Sequence, residues 1–142
     1  MPSSVEGEAY AVDTSVAVAA LDAGHAAHVW CRRAVLEHRP ALAGHAAFET
    51  YSVLTRMPGP LAIDPPGAAE AIRRLFPEPC WLDTESAASL RARCGPIGIV
   101  GGAIYDALVG EAARVNHRRL LTRDHRARRT YDLLGVDHLL VG

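Results

Sequence analysis

A helix of small and apolar residues carrying one carboxylate constrains this chain more than any other stretch. Ile99-Val-Gly-Gly-Ala-Ile-Tyr-Asp-Ala-Leu-Val-Gly-Glu-Ala-Ala-Arg114 reads as that helix, with Asp106 in its middle. At helical spacing Asp106 shares a face with Ile99, Gly102, Ala103, Val109, Gly110 and Ala113. Nothing on that face can pair with a charge, and desolvating an unpaired carboxylate is costly. A water-facing helix surface would be furnished with Lys, Glu or Gln, and this one is not. Either this face is wet and Asp106 is a plain exposed acid, or the fold brings something cationic to it from elsewhere, and the second reading is the favoured one. Gly102, Ala103 and Gly110 predict a helix lying close against a sheet.

The remaining segments supply the sheet. Ala9-Tyr-Ala-Val-Asp13 and Arg119-Leu-Leu-Thr122 read as buried strands, with further strand candidates at Pro40–Gly44, Leu61–Ile63, Pro79–Leu82 and Val136–Val141. Helices are expected at 14–21, 25–38, 45–56, 68–76, 84–94 and 125–134, with Thr14-Ser15, Thr84 and Asp124 as cap residues. Met1 to Glu8 is a polar tail, and residues 9–142 form one domain of ordinary size. Alternating strands and helices argue for an α/β fold with three α/β/α layers around a short parallel central sheet. In such sheets the ligand site lies beyond the carboxyl ends of the strands.

Composition removes several chemistries. All 15 basic residues are Arg, so a phosphate-binding loop that needs its Lys, a Schiff base and a Lys general base are all excluded. Cys31, Cys80 and Cys94 are odd in number and form no CxxC pair, which argues against a disulfide framework or a zinc site. A net charge of −1 rules out bulk polycation binding. Charge is nevertheless uneven: seven Arg lie between Arg114 and Arg129, with Asp124 as the one acid among them. No signal segment or long apolar run is visible, so a soluble, cytoplasmic chain without membrane contact is expected.

Acids fall where the site should be. Asp13 ends the first strand, Asp124 follows the Leu-Leu-Thr strand by two residues, and Asp106 lies in the helix feeding that strand. Glu49, one turn into the helix after Ala41-Leu-Ala, is the fourth candidate. Taken alone, Asp13 and Asp124 could be mere helix caps, and Glu49 could belong to a solvated stripe with His45, Ser52 and Arg56. Taken together they repel. At an effective dielectric of about 20 and a spacing of about 5 Å, each ionised pair costs roughly 3 kcal/mol. A cation resolves this, and all-oxygen ligands select Mg²⁺ or Mn²⁺ over zinc. Such an ion suits phosphoryl chemistry. The Arg-rich segment, Arg119, Arg123 and Arg126 included, would offer phosphate-binding guanidinium groups beside it.

Val12-Asp13-Thr14-Ser15, Glu49 in its helix, Tyr105-Asp106-Ala107-Leu108 and Leu120-Leu121-Thr122-Arg123-Asp124 resemble the four acidic motifs of PIN-domain ribonucleases. Length and order resemble the VapC-type toxins of bacterial toxin–antitoxin pairs, from about Ala9 to Val141. The resemblance implies a parallel α/β sandwich, a Mg²⁺- or Mn²⁺-dependent endoribonuclease leaving 5′-phosphates and 3′-hydroxyls, a homodimer, and a cognate antitoxin that inhibits it. By carry-over, Asp13, Glu49, Asp106 and Asp124 are the catalytic acids, and Asp13 and Asp106 are the expected direct metal ligands. Ser15 and Thr122 sit where the family has supporting hydroxyls. Position 126, an acid in some members, is Arg here, which speaks against a strong second metal site. The competing reading is a PIN-like module that binds RNA or protein without cleaving it. The apolar faces around Trp30 and Tyr51 are candidates for a dimer surface, with core packing the favoured use.

Overall fold

In the computed structural model the described residues are 8–58 and 63–142. The elements run β1 (Ala9–Val12), α1 (Thr14–Leu21), α2 (His28–His38), β2 (Ala41–Leu42), α3 (Ala46–Thr55), α4 (Pro65–Leu75), α5 (Thr84–Cys94), α6 (Ala103–Val115), β3 (Arg118–Thr122), α7 (Ala127–Leu134) and β4 (His138–Leu140). The described strands form one sheet in the order β2-β1-β3-β4, with every pairing parallel. Ala11, Val12, Ala41 and Leu120 are fully buried, as expected for strands covered on both faces. Helix α1 packs on α2 and α3, and α3 on α4. Helix α5 packs on α6, and α6 on α7, while α1 and α6 both contact β3. The sheet is thus the middle of the expected three α/β/α layers.

The topology fixes where a site can form. From β1 the chain moves to β2 on one side and later to β3 on the other, so the strand order reverses between β1 and β3. Helices leaving the two strands diverge there and open a crevice at the carboxyl ends. Val12 pairs with Leu121 in the register of β1 and β3, which brings Asp13 beside Thr122. The bond from the Asp13 N–H to the Leu121 carbonyl, 3.3 Å, carries the ladder one residue further.

Several local expectations change. Pro79–Leu82 is not a strand: Trp81 is exposed, and the segment contributes the Cys80 carbonyl, which accepts from the Gly44 N–H at 2.7 Å. The helix read from Ile99 starts only at Ala103, because Gly98 and Gly101 adopt positive φ and turn the chain before it. Asp106 therefore stands in the first turn of α6, not mid-helix. Helix α2 starts at His28, three residues later than expected, and α4 starts at Pro65, three residues earlier, under an Asp64 cap. The caps of α1 and α5 are Asp13 and Asp83, each one residue before the threonine expected there. Leu61 and Ala62 of the strand expected at Leu61–Ile63 and the tail before Glu8 lie outside the described residues, and Ile63 belongs to no strand. All three cysteines are free and buried.

Candidate active site

Asp13 is the most enclosed of the acids, with 5% of its surface exposed. Its Oδ1 accepts from the Ser15 hydroxyl at 2.5 Å and from the Val16 N–H at 3.4 Å. Its Oδ2 accepts from the Thr122 hydroxyl and from the Tyr131 hydroxyl at 2.9 Å. The two smaller hydroxyls are themselves oriented. Ser15 Oγ accepts from the Arg123 N–H at 2.8 Å, and Thr122 Oγ1 accepts from the Asp124 N–H at 3.0 Å. Each donates its own proton to Asp13. Burial pushes the Asp13 carboxyl up, and the donors from Ser15, Thr122, Tyr131 and Val16 pull it back. These four donors favour the ionised form against the burial that opposes it.

Asp106 is half-buried, and its carboxyl is pushed up to about 6, first by burial and then by the charges of Asp124, Glu49 and Asp13. Asp124, Glu49 and Asp13, from three other segments, thus each lie within electrostatic reach of Asp106. Arg126 opposes the rise, less strongly than burial or any of the three carboxylates promotes it. Glu49 lies partly buried in the first turn of α3, where the Thr14 hydroxyl reaches it at 3.5 Å. It is no member of a solvated stripe. Asp124 accepts from the N–H groups of Arg126 and Ala127 at 2.9 and 3.3 Å, so it closes the start of α7.

A common logic joins these positions. Asp13 caps α1, Glu49 and Asp106 stand in the first turns of α3 and α6, and Asp124 closes the first turn of α7. Each carboxylate thus meets the positive end of a helix dipole, which offsets part of their mutual repulsion. The offset is incomplete, as the raised Asp106 shows.

The donor set fits a hard divalent cation. Among the described residues no hydrogen bond holds the Asp106 charge down, and burial and neighbouring carboxylates dominate its surroundings. Among the described residues no three His, Cys, Asp or Glu side chains gather closely enough to cage an ion unaided. Mg²⁺ does not require that, since it takes one or two carboxylates and keeps several waters.

The arginines divide. Arg126 is exposed at the start of α7, beside the acids. The Arg123 backbone N–H holds Ser15, while its Nε is buried without a partner among the described residues. Arg119 stands three residues before Thr122, about 10 Å up the strand, and pairs with Asp137 at 2.9 Å. The fold does not bring Arg119 to the acids. Tyr131 is the site residue the sequence reading passed over. Ala127, Thr130, Tyr131 and Leu134 form the buried face of α7, a core pattern in which a phenol attracts no notice. The available signal was the hydroxyl itself, which when buried must find a partner.

Gly110 has a different use from the one expected. A Cβ there would lie 2.8 Å from Tyr131 Cδ1 and 3.1 Å from Val136 Cγ2, so the glycine makes room for the tyrosine ring, while Gly102 faces open space. Trp30 and Tyr51 are exposed and take no part in the core.

Residues 10–133 match the family model for the PIN domain. The chain is similar to Ribonuclease VapC27 of Mycobacterium tuberculosis (strain ATCC 25618 / H37Rv), 43% identical over 136 residues that span 92% of this chain and 95% of the relative. It is likewise similar to Ribonuclease VapC40 of Mycobacterium tuberculosis (strain CDC 1551 / Oshkosh), 42% identical over 132 residues, covering 92% and 98% of the two chains.

Proposed function

The chain belongs to the PIN-domain family, and on that footing we propose that it is a metal-dependent endoribonuclease acting as the toxin of a type II toxin–antitoxin pair. The observation that carries this reading is the gathering of Asp13, Glu49 and Asp124 around Asp106, whose carboxyl burial and then these three charges push up to about 6. Both curated relatives are named as ribonucleases, and they align along nearly their whole length.

Asp13 and Asp106 hold Mg²⁺, with Mn²⁺ as an alternative. When bound, the ion acidifies a water and neutralises charge developing on the phosphate. The donors from Ser15, Thr122, Tyr131 and Val16 favour the ionised form of Asp13 that a metal ion needs. Glu49 and Asp124, each partly exposed, orient the attacking water and accept its proton. Ser15 and Thr122 act through Asp13 and touch no substrate. Arg126 and Arg123 border the acids and steady the RNA phosphates, whereas Arg119 is tied to Asp137 and takes no part.

The protein partners have surfaces to meet. His45, Phe48, Trp81 and Tyr105 form a row of neighbouring rings, with centroids 5.2 to 6.4 Å apart and the three larger ones exposed. This row runs beside Glu49 and Asp106 and suits a second copy of the chain, which would set two acidic sites near each other. Val29 and Leu36 expose a second apolar face on α2, flanked by Arg32 and Arg33. It suits an antitoxin segment with apolar and acidic residues. Among the described residues no helix is long and apolar enough to cross a membrane.

Expression with and without the neighbouring reading frame tests the assignment. Growth arrest without the neighbour, relieved by the neighbour and lost in Asp13→Ala, is the expected result. Arrest that persists undiminished in Asp13→Ala would overturn the nuclease reading.

A further inference from the structure

Tyr131 stands at the centre of the acidic site without belonging to its acids. The residue is 1% exposed, and its hydroxyl donates to Asp13 Oδ2 at 2.9 Å. A phenol flanked by carboxylates and shut off from water stays protonated at neutral pH, so it keeps the proton it donates to Asp13. The ring is seated as firmly as the hydroxyl. Its edge fills the space left by the missing Cβ of Gly110, where a methyl group would come within 2.8 Å. His138 packs edge-on against it, with ring centroids 5.5 Å apart.

Gly110 is four residues after Asp106 on α6, so the two share one helix face a single turn apart. Tyr131 therefore touches both halves of the site: Asp13 through its hydroxyl, and the helix of Asp106 through its ring. Oxygen accounting sharpens its role. Thr122 and Tyr131 occupy both lone pairs of Oδ2, whereas Oδ1 has one short bond from Ser15 and one long bond from Val16 at 3.4 Å. Oδ1 keeps the spare capacity.

We infer that Tyr131 is a positioning residue of the acidic site: its hydroxyl locks the orientation of the Asp13 carboxylate, and its ring fixes the approach of the helix bearing Asp106. This inference rests on the proposed metal-holding role of Asp13 and Asp106. Residues that orient a metal ligand from behind typically change metal affinity or activity by about 10- to 100-fold when altered. A residue that merely fills core space would not move these quantities once the protein is folded.

The test uses the full-length protein and Mn²⁺ alone as the probe. Tyr131→Phe keeps the ring in the Gly110 slot and removes only the donor. Titration calorimetry is expected to show the Mn²⁺ Kd of Tyr131→Phe weakened by about 10-fold or more. The kcat for RNA should fall comparably with KM unchanged, while near-ultraviolet circular dichroism stays native. A wild-type Mn²⁺ Kd in folded Tyr131→Phe would overturn the inference. Should that variant not fold, Gly110→Ala displaces the ring while keeping the hydroxyl, and it is expected to lose Mn²⁺ affinity to a similar degree. Wild-type affinity in Gly110→Ala would overturn the inference equally. If the unaltered protein takes up no Mn²⁺, the metal reading itself fails, and the role of Tyr131 fails with it.

Discussion

Replacing Asp106 by Asn separates a site built for a cation from an ordinary buried acid. In the free protein the Asp106 carboxyl rises from an ordinary 3.8 to about 6, through burial and the charges of Asp124, Glu49 and Asp13. A carboxyl raised on folding binds more protons folded than unfolded between those two values, so stability falls as pH climbs from about 3.8 to about 6. Above about 6 the penalty is complete. A rise of this size corresponds to at most about 3 kcal/mol, and solvent screening of a half-buried group trims it to about 1 kcal/mol. Asp106→Asn removes that charge and keeps the shape. At pH 7.5 in EDTA the variant should melt about 3 °C higher than wild type, while its RNA cleavage falls below detection. Adding Mg²⁺ should raise the melting temperature of wild type and leave the variant where it was. Differential scanning calorimetry in EDTA and in Mg²⁺ reads both effects. A lower melting temperature for Asp106→Asn in EDTA, with native circular dichroism, would refute the electrostatic reasoning.

Other consequences can be measured separately. Protons compete with a metal ion for Asp106, so cleavage should decline as pH drops below about 6, and extra Mn²⁺ should move that limb to lower pH. A rate unchanged from pH 5 to 7.5 would contradict this. Glu111 is 1% exposed and accepts from Arg93 on α5 and from Arg114, which hold its carboxyl below the usual range. Glu111→Gln should cost about 2 kcal/mol in urea denaturation, less than a fully buried pair because both arginines reach water. Activity should remain at temperatures where the variant is folded. The stability from Glu111 is present above its ordinary pKa and disappears as pH falls through the lowered folded value. The wild type should therefore lose its stability advantage over Glu111→Gln in acid.

Much of the site was legible because its acids sit in short segments with distinct local character. Asp13 ends an apolar run, Asp124 follows another, and Asp106 interrupts a small-residue helix. Their meeting follows from one topological fact, the reversal of strand order between β1 and β3, which alternating strands and helices already suggest. What stayed hidden depends on neighbours distant in the chain. Pro79–Leu82 looks like a strand from composition, yet Trp81 is exposed and no ladder forms there. Arg119 lies in the basic run with Arg123 and Arg126, but strand geometry sends it to Asp137. Gly110 reads as a contact with the sheet until the ring of Tyr131, 21 positions later, is seen to fill its space. Trp30 and Tyr51 look like core residues, yet the helices bearing them turn those side chains outward. Periodicity describes one element at a time, and each of these outcomes is a pairing between elements.

The central claim is that four acids at one sheet edge hydrolyse RNA with a divalent ion. The chemistry of the product ends tests it most directly. Purified protein should cut single-stranded RNA in Mg²⁺ to leave 5′-phosphates that permit ligation of an adaptor, and EDTA should stop the reaction. Cleavage that persists in EDTA, or that leaves 5′-hydroxyls with cyclic phosphates, would contradict the account.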